Sequence, residues 1–159
     1  MSATPMKIGM YHFARMMTSK STPAVVTISP GRIHVATADQ VLLDAAPGQL
    51  QLKISKLSGA ITLLTPAGKV ILAGVGSASA IQHSDQQEEE IRAAQQAASQ
   101  DPQISHLALS QLLWAGRTTT VDGTYHGGLQ SILNGDAAAQ KRIGQTVREA
   151  MMAAGVQPA

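Results

Sequence analysis

The chain contains no cysteine. Disulfides, thiolate nucleophiles and zinc–thiolate centres are therefore excluded. Aromatic residues are scarce, with one Trp, two Tyr and one Phe among 159 residues. Any core must be built from Leu, Ile, Val, Met and Ala. A stacking surface for single-stranded nucleic acid needs several exposed rings, so no nucleic-acid partner is expected. No apolar run approaches the roughly 18 residues of a membrane-spanning helix. The N-terminus also lacks the continuous apolar core of a secretory signal. These absences lead to the expectation of a cytoplasmic protein.

What is present suits one globular domain, or a small domain with an appendage: 44% of the residues are hydrophobic. Charge is unevenly placed. Residues 1–80 hold seven Lys/Arg against two Asp, a balance of +5, and residues 81–159 hold five against eight Asp/Glu, a balance of −3. The first half is basic, and a basic surface attracts phosphate head groups or acidic partners.

Residues 24–75 organise the chain. Ala24–Ile28 is rich in β-branched residues and stops at Ser29-Pro30-Gly31-Arg32, where Pro presets one corner and Gly accepts positive φ at the next. Ile33–Thr37 alternates apolar and polar, and Val41–Leu43 resumes after a polar break. Leu50, Leu52 and Ile54 alternate with Gln49, Gln51 and Lys53, the period of a half-buried strand. Ala60–Leu64 and Lys69–Val75 follow, separated by Pro66-Ala67-Gly68. Connections this short favour an antiparallel meander, which must close into a barrel, pack on a second sheet or be capped by a helix. Met6, Ile8 and Met10 alternate as well, predicting a first strand over 6–13. An amphipathic membrane anchor, with Lys7, Arg15 and Lys20 towards lipid phosphates, is the alternative for this segment.

Helical signals dominate after residue 83. Ser84 with Gln87 forms a capping-box pattern, and Asp85, Glu88, Glu89 and Glu90 complement the helix dipole. This helix should run to Ser99 with a thin apolar face led by Ile91. Asp101-Pro102 opens a second helix, with Ile104, Leu107 and Leu112 at helical spacing. Asp136 caps a last one that places Ile143, Val147 and Met151 on one face, with Gly155 and Pro158 ending it.

Seven strands followed by a helix is an order similar to the pleckstrin-homology-like superfold, including its bacterial members and the related GRAM domains. The phrase Val41-Leu42-Leu43-Asp44…Leu50-Gln51-Leu52…Ile61-Thr62-Leu63…Pro66-Ala67-Gly68-Lys69-Val70-Ile71-Leu72 looks like the middle of such domains. The resemblance covers residues 6–99. It implies an α+β protein: a small antiparallel β-barrel of about seven strands over residues 1–99, its open end plugged by the helix, then a helical extension over 100–159. It also implies a non-enzymatic binding or adaptor module for protein–protein or peripheral membrane contact. The basic contacts it implies are Lys20, Arg32, Lys53, Lys56 and Lys69. The expected partner is another protein, a second copy or an anionic membrane surface, and no cofactor is expected.

Two other readings stay open. The loop Asp122-Gly123-Thr124-Tyr125-His126 offers a carboxylate, a phenol and an imidazole beside glycines. Asp122, Tyr125 and His126 would be the site of a small enzyme or ligand-binding protein. A self-assembling structural subunit would instead bury the Met-rich N-terminus and the 109–114 surface against copies of itself. The five histidines show no helical i, i+4 metal spacing, so no metal site is expected.

Overall fold

The computed structural model describes residues 5–14, 21–56, 59–74, 83–100 and 136–159. Eight strands form one sheet: β1 (Met6–Phe13), β2 (Thr22–Ser29), β3 (Arg32–Thr37), β4 (Val41–Ala45), β5 (Gln51–Ile54), β6 (Ile61–Thr65), β7 (Gly68–Ala73) and β8 (Gln157–Pro158). Two helices are described, α1 (Asp85–Ser99) and α2 (Asp136–Ala154). The helix expected from Asp101 and the 109–114 surface lie outside the described residues. The sheet order is β4-β3-β2-β1-β7-β6-β5-β8, antiparallel throughout except for β8 on β5.

The expected alternation sets the two faces. Met6, Ile8 and Met10 of β1 are buried in one core cluster with Val26, Ile28, Ile33, Val35, Leu52, Ile61, Leu63, Val70 and Leu72. The segment at 6–13 is thus a central strand paired on both sides, not a membrane anchor. Hairpin turns follow their local chemistry. Gly31 takes φ 81° after Pro30, and Ser29 pairs Arg32 across the turn.

The expected closed barrel is not formed. The sheet is open, with β4 at one edge and β8 at the other. Two features account for this. The chain leaves β4 through a 3₁₀ turn at Pro47–Gln49, and the outer edge of β5 is taken by the chain's own tail. Gln157 N donates to Leu50 O at 3.3 Å and Ala159 N to Leu52 O at 2.9 Å. The apolar face is buried by a helix instead of by closure. Val147, Ala150 and Met151 of α2 belong to the same core cluster as the strands. They lie at i, i+3 and i+4, which puts them on one helix face.

The start of α1 and the end of α2 are well marked in the sequence and are made as expected. Gln87 N donates to Ser84 Oγ at 3.1 Å, and Ser84 N donates to the Gln87 side-chain oxygen at 3.0 Å, which completes the capping box of α1. At the end of α2, Val156 N bonds Met151 O and Gly155 N bonds Met152 O, both at 3.0 Å, with Gly155 at φ 116°. This is a Schellman stop, and buried Val156 and Met151 supply its apolar contact.

The helix that shares the sheet's core is α2. The helix following the seven strands, α1, packs on the opposite face of β1 and β2, and its Ile91 lies outside the core cluster. Among the described residues, no helix is long and apolar enough to cross a membrane.

Close approach of α2 requires glycine at 144. A Cβ there would fall on the backbone carbonyl of Gly59, whereas a Cβ at Gly48 meets nothing within 4 Å. Gly144→Ala should lower stability by about 2 kcal/mol or more, and Gly48→Ala should stay within about 0.5 kcal/mol, both read from urea midpoints.

Candidate functional site

The strand register arranges the face opposite the core in rows. Asp44 of β4, His34 of β3, Thr27 of β2 and Lys7 of β1 are successive cross-strand neighbours. Lys7 continues the row onto α1, its Nζ lying 2.6 Å from Glu90 Oε1. Arg32 closes the other end as a two-pronged donor, with Nε to Asp44 Oδ1 at 2.6 Å and Nη2 to Oδ2 at 2.5 Å. Hydrogen bonding from Arg32 holds the Asp44 carboxyl below its ordinary range. His34 Nδ1 lies 3.9 Å from Asp44 Oδ2, too far for a hydrogen bond. A shallow cleft of about 150 Å³ separates β3 from the first half of α1 and is lined by His34, Gln86 and Glu90 over Val25 and Ala36.

The other end of the same face has a different charge pattern. Lys53 opposes Thr62, which opposes Ile71, and in the next row Gln51 opposes Leu64, which opposes Lys69. Lys53 and Lys69 therefore project from one face, two strands and one row apart. Ideal strand spacing puts their Cα atoms on the order of 12 Å from each other. Both are exposed, as is Lys56 just beyond β5. No Asp or Glu occurs between Asp44 and Asp85, so the β5–β7 end carries three lysines and no carboxylate of its own.

Of the five basic residues expected to make contacts, Lys53 and Lys69 are brought together, with Lys56 nearby in sequence. Arg32 is exposed on the same face at the far side of the sheet, where Asp44 engages it. Lys20 lies outside the described residues, and so do Asp122, Tyr125 and His126. Among the described residues, no group of three or more His, Asp or Glu is placed to hold a metal ion.

Sequence spacing missed two arrangements. One is the Arg32–Asp44–His34 cluster. Its signal was the polar phase of β3 read against β4, which becomes a contact only once the hairpin register is known. The second is His83, buried at 4% exposure beneath α1. Its Nε2 lies 3.1 Å from Met10 O and 3.0 Å from Ala24 O, and its ring meets Tyr11 edge-on at 5.2 Å. No protein-family model matches the chain, and no curated protein matches it in sequence.

If Asp44 neutralises Arg32, Asp44→Asn should free a cation without unfolding the exposed edge. The variant should elute from a heparin column at higher salt than the parent while its urea midpoint hardly moves, since exposed pairs stabilise little. Unchanged retention would show that Arg32 was already available.

Proposed function

We propose that this protein is a non-enzymatic binding module of pleckstrin-homology-like or GRAM-like type. In this reading it makes peripheral contact with an anionic membrane surface or an acidic protein through the β5–β7 end of its sheet. The observation that carries the reading is the charge pattern there: Lys53, Lys56 and Lys69 with no carboxylate on the same strands. Seven strands followed by a helix support the family reading.

Reach and solvation favour this surface. Lysine ammoniums on flexible stems suit delocalised anionic surfaces better than a single geometric ligand, because each acts as a point charge. Two such groups about 12 Å apart match neighbouring head groups or successive acidic side chains. The opposite end contributes less, because Arg32 is engaged by Asp44 and Lys7 contacts Glu90.

The test is co-sedimentation with neutral and anionic vesicles at low and near-physiological salt, alongside an acidic peptide titration. The parent should bind the anionic surface and lose affinity with salt. Lys53→Glu combined with Lys69→Glu should weaken binding by about tenfold or more. Binding to neither vesicles nor acidic peptide would remove this reading.

A further inference from the structure

The β1–β2 ladder carries a histidine for which the binding reading has no use. His83 immediately precedes the cap of α1 and lies over the pair Met10–Ala24. The two Nε2 partners among the described residues are backbone carbonyls, which only accept, so Nε2 carries the proton. Nδ1 is buried and finds no hydrogen-bond partner among the described residues. One turn on, Gln87 donates its side-chain amide to Pro23 O at 3.2 Å. The start of α1 is thus clipped to the sheet by side-chain donors bonded to strand carbonyls.

This geometry accommodates one protonation state. The neutral Nε2–H tautomer satisfies its donor and leaves a bare lone pair at Nδ1. The imidazolium would place a second N–H in a buried position with no acceptor among the described residues, at the cost of desolvating a charge. We propose that His83 is an acid-sensitive latch whose protonation undocks the start of α1 and uncovers Tyr11 and Val25 on β1 and β2. Tyr11 and Val25 are 1% and 5% exposed in the docked state. This role does not depend on which partner the lysines meet.

The surroundings agree in sign. Burial lowers the His83 pKa below its ordinary 6.5, opposed by the carbonyls of Ala24 and Met10, and among the described residues no charged side chain contributes to the shift. Tyr11 is the titratable side chain facing it from β1, β2 presents backbone carbonyls, and its neighbour on α1, Gln87, is neutral. The free imidazole takes its proton before the docked one. Docking is therefore at full strength above the ordinary pKa and is lost as pH falls through the lowered one. His12 of β1 is also lowered by burial and serves as the control.

The test is hydrogen–deuterium exchange of the full chain at about pH 7.5 and about pH 5, with rates corrected for intrinsic amide chemistry. Exchange in the first turns of α1 should rise several-fold at the lower pH in the parent and in His12→Gln. In His83→Gln, which keeps a donor and cannot titrate, it should not change with pH. Imidazole NMR of the parent supplies a readout that does not depend on a variant folding: His83 should titrate below 6.5, together with the loss of α1 protection. Equal protection of α1 at both pH values, an undiminished acid response in His83→Gln, or a midpoint at or above 6.5 would each overturn the proposal.

Discussion

The structure depends on the burial of one helix face against an open sheet. Val147, Ala150 and Met151 of α2 lie in the same cluster as side chains from β1 through β7. Burying a Val or Met side chain contributes roughly 1.5–3 kcal/mol, so these residues and Val156 supply a large part of a typical domain stability. Without them, the apolar face of a sheet with two free edges would stand in water. The tail beyond α2 adds to the arrangement. The Schellman turn at Gly155 redirects the chain so that 157–159 runs along β5 and covers an edge that would otherwise present bare backbone groups.

The sheet then serves as a divider. Its core side is closed by α2 and is almost wholly apolar. Its other side is divided in two: α1 covers β1 and β2, while the β5–β7 end displays exposed lysines. Lys7 pairs with Glu90 of α1 and Arg32 with Asp44 across β3 and β4, whereas the β5–β7 end has no carboxylate on its own strands. An acidic helix at one end and three lysines at the other give the face a charge polarity.

Much of the fold was legible in local pattern. Period-two alternation, β-branched and apolar runs and the turn signals between them located β1 to β7 within a few residues, because each of these strands buries side chains in the core. The capping box and the glycine stop were legible because each is a local backbone requirement. The open edges were not. Gln157–Pro158 is too short to carry a pattern, and its place on β5 depends on where α2 ends. The resemblance placed the helix of Ile91 in the barrel end, whereas its thin apolar stripe and the stripe of Val147 and Met151 pointed to the last helix as the one that shares the core. At the site, alternation correctly set Lys53 opposite in phase to Leu52 and Ile54. The pairing of Arg32 with Asp44 was hidden because it crosses a hairpin. His83 looked like an isolated polar residue because its partners are backbone carbonyls, which no side-chain pattern reveals.

Helix α2 and the sheet form one cooperative unit, and native-state hydrogen exchange across a urea series tests this most directly. The amides of 147–151 should exchange with the same opening free energy and urea dependence as those of β1, since the two share one core. If α2 opened at much lower free energy while β1 kept its full protection, the helix would be an accessory to a sheet that stands without it, and burial of its apolar face would not be what holds the fold together.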